Sequence, residues 1–250
     1  KEISVEIVGG GRNLIRITDN GLGMTKDDAI LCLERHATSK IKHVDDIATL
    51  MTMGFRGEAI PSIASISKFS ILTCATGENK GTLVIVDGGK LLECQEAVTA
   101  KGTTVEVKSL FFNVPVRRKF QKSPNYDTNE ILKVVTTISL ANPHIKFELI
   151  SNEKKILSSN CLQNDDFLEN LKNRIETLLG KDFAESMYKV DSNLNGYQIH
   201  GFIGFPTVTR QNRTGQYLFI NQRCVQNSTI SYFVKMGYGT MLQENRYPIY

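Results

Sequence analysis

No run of apolar residues in this chain is long enough to cross a membrane, and its start has no secretory pattern, so no membrane partner is expected. The five cysteines (Cys32, Cys74, Cys94, Cys161 and Cys224) lie far apart without a C-x-x-C pair, which removes a zinc grip and points to a reducing, cytoplasmic compartment. The four histidines (His36, His43, His144 and His200) show no H-E-x-x-H or other ligand spacing, and no G-x-S-x-G elbow exists. Zinc catalysis and nucleophilic hydrolysis therefore lack support, and no catalytic or metal-ligating residue is assigned. The Walker spacing G-x-x-x-x-G-K-[ST] is missing as well, as are internal repeats and low-complexity tracts. Charge of one sign is also scarce. Thirty Lys plus Arg against twenty-six Asp plus Glu leave a formal +4, which is compatible with a local basic face but does not require one.

What is present is a globular composition, 41% hydrophobic and 22% charged over 250 residues, which suits one large domain or two ordinary ones. The first residue is Lys1 rather than Met, and Arg246 to Tyr250 is β-prone without a stop signal, so a piece of a longer protein is expected.

Ile3, Val5 and Ile7 alternate with polar neighbours, Gly9-Gly10-Gly11 interrupts, and Ile15 and Ile17 resume the alternation up to Asp19, as in a hairpin. Thr25-Lys26-Asp27-Asp28 resembles a capping box, and Ala29, Leu33 and Ala37 predict a helix from Lys26 to about His36. A second helix is expected near Val44 to Thr52, and a third from Glu58, with Pro61 in its first turn. Lys68 to Lys108 reads as strands with a hairpin turn at Gly88-Gly89, giving an antiparallel sheet with helices on one face. A helix over Asp127 to Ala141 and two strands around Lys146 to Leu157 follow. Polar Ser158 to Asp166 is the best linker candidate. Beyond it come a helix (Phe167 to Leu179), strands at Tyr197 to Gly204 and Gln216 to Ile220, and a helix from Asn227 to Met241.

Asp19-Asn20-Gly21-Leu22-Gly23 places an acid at a strand end, with glycines that let the backbone turn tightly and approach a flat ligand. The adenine amino group would supply the donor such a carboxylate needs, whereas guanine presents an oxygen there, so the acid would select ATP over GTP. A plain turn leading into a helix is the other reading. Gly54-Phe55-Arg56-Gly57-Glu58-Ala59 could turn several N–H groups toward phosphate oxygens at a helix start, or be a mere connector. Arg35-His36-Ala37-Thr38-Ser39-Lys40 offers hydroxyls and a cation to phosphates, or is a basic helix end favoured by the dipole. Lys101-Gly102-Thr103-Thr104 opens a strand with a hydroxyl suited to a pocket floor, although a strand-starting Thr is ordinary. Arg117-Arg118-Lys119 between aromatics suits a phosphate backbone or a solvated helix end.

Taken in order, Asp19 to Met24, Arg35 to Ile41, Gly54 to Ala59 and Gly102 to Val107 closely resemble the N-terminal ATPase region of the MutL family of DNA mismatch repair proteins. Leu110 to Phe120 and Phe219-Ile220-Asn221-Gln222-Arg223 resemble further segments of that family. The family belongs to the GHKL superfamily. The resemblance implies an α+β protein, with a Bergerat (GHKL) ATPase α/β sandwich over residues 1–160 and a smaller α+β transducer domain over 161–250. It implies ATP and Mg²⁺ as cofactors. Asp19 would hold adenine with Gly23 lining the pocket and Thr103 at its floor. Thr38, Ser39 and Lys40 would form the lid, and Arg56, Gly57, Glu58, Ala59 and Ile60 the phosphate nest.

In the family a Glu that activates water and an Asn that holds Mg²⁺ lie on a helix upstream of the first hairpin, and a Lys that reaches the γ-phosphate lies downstream of a segment like Arg246 to Tyr250. Neither segment is found in this sequence, so the expectation is slow ATP hydrolysis, or none, by this chain alone. The resemblance further implies an ATP-gated N-terminal homodimer that clamps DNA, with Arg117, Arg118 and Arg223 toward the DNA and the mismatch-recognition protein MutS as partner. A sensor histidine kinase, a type II topoisomerase subunit and a nonenzymatic nucleotide-binding module are the alternatives.

Overall fold

A computed structural model describes residues 1–35 and 57–250. Two compact units emerge: Lys1–Val135 with Ile145–Cys161, and Thr136–His144 with Leu162–Tyr250.

The first unit is built on an eight-stranded sheet. β1 (Glu2–Val8) and β2 (Leu14–Asp19) form the expected hairpin, and Gly9, Gly10 and Gly11 all adopt positive φ between them. The middle glycine has little choice, since a Cβ at Gly10 would sit 2.6 Å from the Pro124 carbonyl. α1 (Lys26–Leu31) starts at Thr25, whose hydroxyl accepts from the Asp28 amide. Its regular part is shorter than the spacing predicts. After Leu31 the amides of Leu33 and Glu34 donate three residues back, to Ile30 and Leu31, so the chain tightens into turns instead of completing the helix. The helix expected over Val44 to Thr52 lies outside the described residues.

α2 (Ala59–Ala64) begins after Glu58 and carries Pro61 in its first turn, as read. β3 (Lys68–Cys74), β4 (Gly81–Asp87), β5 (Lys90–Ala97) and β6 (Gly102–Lys108) follow, with Gly88 and Gly89 at positive φ in the β4–β5 turn. After α3 (Pro115–Lys119) and α4 (Pro124–Ala141) come β7 (Lys146–Ser151) and β8 (Lys154–Ser159). The strand order is β5-β4-β3-β6-β2-β1-β7-β8, antiparallel except for β1 beside β7.

Register assigns each residue a face, because side chains alternate with period two. One row across the sheet runs Ile7, Ile15, Val107, Phe69, Val86, and the next runs Val5, Ile17, Val105, Ile71, Val84. Ala29 of α1 and Ala64 of α2 pack on this face with Phe69, Ile71, Val84, Val86 and Val107. The opposite face carries an ion-pair ladder. Arg16 pairs with Glu6 and, at 2.6 Å, with Glu106, which also accepts from Lys108; Lys146 joins Glu2 to Glu148, and Lys155 also reaches Glu148.

In the second unit α5 (Phe167–Leu179) follows Asp166, whose carboxylate caps the Leu168 and Glu169 amides. α6 (Lys181–Glu185) leads into a hairpin of β9 (Met187–Leu194) and β10 (Tyr197–Gly204), turned by Asn195 and Gly196 at positive φ. Two-residue pairs follow, β11 (Thr209–Arg210) with β14 (Tyr247–Pro248) and β12 (Phe219–Ile220) with β13 (Arg223–Cys224). The strand expected from Gln216 is thus confined to Phe219–Ile220. α7 (Ser228–Tyr238) starts at Asn227, which accepts from the Ile230 amide, and Gly239–Met241 finish it as a 3-10 turn. Leu140, Ile175 and Ala184 form the core of this unit, where the buried Arg174 guanidinium donates to the Pro143 carbonyl at 2.7 Å and to Ser139.

Ile71 is fully buried, so Ile71→Ala is expected to lower the unfolding free energy by about 2–5 kcal/mol in denaturant titrations. Ile17 faces the same side but is 41% exposed, and Ile17→Ala should cost about 1 kcal/mol or less. On the charged face, burial alone would push the Glu106 carboxyl up, but hydrogen bonds from Lys108 and Arg16 outweigh it and hold it below its ordinary 4.5. A carboxyl depressed in the native state stabilises fully above its unfolded pKa, and that contribution disappears as pH falls through the native value. Wild type should therefore lose stability more steeply than Glu106→Gln as pH drops below 4.5, measured by urea midpoints across the acid range.

Candidate functional site

The third row of the helix-covered face breaks its apolar pattern. It runs Ile3, Asp19, Thr103, Thr73, Thr82 across β1, β2, β6, β3 and β4. Thr73 and Thr82 are buried, whereas Asp19 and Thr103 are only half-buried. The apolar row behind changes in parallel: Ile71 and Val84 are at 0% exposure, Val105 is half-buried, and Ile17 reaches 41%. Among the described residues, helical cover therefore ends over β2 and β6, where an acid and a hydroxyl border two branched apolar side chains. Such a floor suits a flat apolar ring that carries a hydrogen-bond donor on its edge.

The turn after Asp19 is pinned at each step. Asp19 Oδ1 accepts from the Gly21 amide at 2.8 Å, closing an Asx turn. Asn20 Oδ1 accepts from the Glu2 amide, the Leu22 carbonyl accepts from the amide and hydroxyl of Thr76, and the Met24 amide donates to Thr73 Oγ1 at 2.9 Å. Gly23 is at φ +70°, and a Cβ there would lie 1.8 Å from the Cys74 carbonyl oxygen. Gly102 is at φ +125°, and a Cβ there would lie 2.1 Å from the Asp19 carbonyl oxygen. Both glycines are thus required by close backbone approach.

Of the site residues expected from sequence, the structure brings Asp19, Gly23 and Thr103 together at this sheet end. Gly57 adopts φ +61° just before α2, and Glu58 precedes the helix without capping it through its side chain. The first-turn amides that follow, at Ala59 and Ile60, are those that helix geometry leaves without an intrahelical acceptor. Ile60 and Met24 pack against the same core, so the start of α2 and the turn after Asp19 share a footing. Thr38, Ser39, Lys40 and Arg56 lie outside the described residues.

Arg117 and Arg118 are exposed on α3, followed by exposed Phe120, while Arg223 in β13 is half-buried with its Nε inside. No disulfide joins the five cysteines, and burial, aided by Asp28, pushes the Cys32 thiol up to about 11, which keeps it protonated at neutral pH. Among the described residues no group of three or more His, Cys, Asp and Glu side chains is placed to hold a metal ion.

Sequence reasoning missed Thr73. Its hydroxyl lies 3.0 Å from Thr103 Oγ1 and 3.1 Å from the Gly102 carbonyl, and it links β3, β6 and the turn after Asp19. Within Lys68–Cys74 it looks like any β-branched strand residue. Only the register across β2, β6 and β3 places it beside Thr103.

Gly102→Ala is expected to destabilise the chain by about 2 kcal/mol or more, because the new Cβ meets backbone as well as an unfavourable φ. Gly77→Ala serves as control. Gly77 is at φ +91° with nothing within 4 Å, and it should show only the conformational cost of about 1–2 kcal/mol. Denaturant midpoints measure both.

The chain is similar to known proteins. Residues 175–250 match the family described as DNA mismatch repair protein, C-terminal domain. Over 248 residues, 99% of the chain, identity to the DNA mismatch repair protein MutL of Geobacter sulfurreducens is 40%, and the chain spans 40% of that relative's length. A solved N-terminal domain of a DNA repair protein is similar with a TM-score of 0.79 and 27% identity, covering 99% of this chain and 76% of that one. The Aquifex aeolicus MutL ATPase domain complexed with ADP is similar with a TM-score of 0.67 and 28% identity, covering 94% of this chain and 79% of that one. The chain belongs to the MutL family of DNA mismatch repair proteins, and its α+β fold is that of the family's GHKL ATPase region.

Proposed function

We propose that this chain binds ATP at the Asp19 end of the sheet, and that in the complete protein ATP binding and slow hydrolysis gate the joining of two N-terminal regions into a clamp on DNA during mismatch repair. One observation carries the reading: the otherwise apolar face ends in a row containing Asp19 and Thr103, beside the exposed Ile17, with glycines at every close backbone approach.

The Asp19 carboxylate accepts from the adenine amino group, Thr103 contributes its hydroxyl at the floor, and Gly23 lets the backbone lie against the ring. The amides at Gly57, Glu58, Ala59 and Ile60, with Arg56, hold phosphate oxygens by the partial positive charge of a helix start. Thr38, Ser39 and Lys40 close over them. The bound triphosphate supplies the free energy of the switch, by favouring the ordered and dimer-competent state over the open one.

Residues 1–160 are read as the ATPase domain and 161–250 as the transducer. This chain by itself is expected to hydrolyse ATP poorly, Glu58 belonging to the phosphate nest rather than acting as general base. Arg117, Arg118 and Arg223 face DNA, MutS is the mismatch-sensing partner, and the protein works in the cytoplasm.

A nonhydrolysable ATP analogue is expected to raise the melting temperature of this chain, and GTP is not. Asp19→Ala should weaken ATP binding at least about tenfold, the loss of a charge-assisted hydrogen bond. Unchanged affinity in calorimetric titration would remove the reading. In the complete protein, Arg117→Ala should reduce the salt slope of DNA binding by about one, and a slope equal to wild type would remove Arg117 from the interface.

A further inference from the structure

We propose that Thr73 is a positioning residue that sets the direction of hydrogen bonding at Thr103, and thereby gives the pocket floor a preference for a 6-amino over a 6-oxo purine. The inference rests on the adenine reading above and adds to it a buried determinant of which base is accepted.

A threonine hydroxyl has one proton and two lone pairs. Three groups reach Thr73 Oγ1: the Met24 amide at 2.9 Å, the Gly102 carbonyl at 3.1 Å and Thr103 Oγ1 at 3.0 Å. An amide N–H only donates, so Met24 occupies one lone pair. A carbonyl only accepts, so Gly102 takes the proton. One lone pair remains, and Thr103 fills it by donating. The Thr103 proton is thereby turned inward to β3, leaving its own lone pairs as what it offers on the open side.

Asp19 stands opposite Thr103 in the β2–β6 register, and its carboxylate also accepts. Side by side, the two present acceptors. An exocyclic amino group brings protons to that edge, whereas a 6-oxo group brings lone pairs that nothing there satisfies. Thr73 is at 0% exposure, so bulk water cannot replace its hydroxyl, and each of its three contacts would lose its partner if the oxygen were removed.

The test compares the affinities of this chain for ATP and ITP, which differ at the purine 6-position, by equilibrium titration. Wild type should favour ATP by about tenfold or more. Thr73→Val keeps the shape but frees the Thr103 proton, and is expected to shrink that ratio about fivefold; Thr73→Ser, which restores the oxygen, should return it. A ratio unchanged in Thr73→Val, whatever happens to the melting temperature, overturns the proposal, as does a Ser variant that behaves like Val.

Thr103→Val decides the matter if Thr73→Val does not fold. An accepting Thr103 predicts about fivefold weaker ATP binding with no change for purine riboside triphosphate, which carries hydrogen at the 6-position. Equal weakening of both nucleotides would mean that Thr103 donates to the ring, and would overturn the proposal. Should Asp19→Ala leave ATP binding untouched, the adenine reading itself falls. Sensitivity to Asp19 with an unchanged ratio in Thr73→Val removes the Thr73 inference alone.

Discussion

The approach of Gly102 to the Asp19 carbonyl is the constraint on which the rest of this site depends. A Cβ at that position would be 2.1 Å from the oxygen, so β6 can begin where it does only with glycine there. That starting point helps fix the β2–β6 register, Leu14 to Asp19 against Lys108 to Thr103. A slip of one residue would flip every side chain of a strand to the other face. Were β6 to slip, Thr104, which touches Thr18 at 3.1 Å on the charged side, would turn inward, and Thr103 would be lost among the ion pairs. Which side chains meet at this end of the sheet is therefore decided by backbone packing.

Breaking an apolar face with an acid and three threonines carries a desolvation cost that each group must recover through a partner. Asp19 is met by the Gly21 amide, and Thr73 by three groups at once. The rows behind, from Phe69 and Ile71 to Val84 and Val86, supply the hydrophobic burial that allows one end of the face to stay open. Local departures from an ideal core pattern are expected where a protein works rather than where it merely holds together. Across β2, β6, β3 and β4 the departure is confined to a single row.

Much of this was legible because the signals are local. The glycine-interrupted hairpin, the start of α2 after Glu58, the Gly88-Gly89 turn and the span of α5 all follow from residues within a few positions of one another. Asp19, Gly23 and Thr103 stand in short motifs at strand ends, where sequence alone marks them as candidates. The end of α1 is not marked in this way, since its tightening past Leu31 depends on packing around Cys32 and Leu33 rather than on a stop residue. In the second unit several strands are only two residues long, too short for any periodicity to reveal. Thr73 was invisible for a different reason. Its meaning comes from register with a strand thirty residues away, and the one usable signal was parity, because Thr73 stands the same distance along β3 from Phe69 as Thr103 stands along β6 from Val107.

The carboxylates of the charged face are matched to cations, whereas Asp19 is met by a backbone amide. Glu6, Glu106, Glu148 and Glu2 are each matched to an arginine or lysine on the charged face, so their acceptor capacity is engaged by fixed cations. Among the described residues, Asp19 is met by a neutral amide instead. An ionised carboxylate offers about four lone-pair directions, and one backbone N–H occupies a single direction. A neighbouring cation would compete with any neutral donor and lower the gain from binding it. An acid held by backbone alone keeps both its geometry and most of its acceptor strength. On the proposed reading, that combination would let a weak donor such as a ring amino group be recognised without a charge of its own.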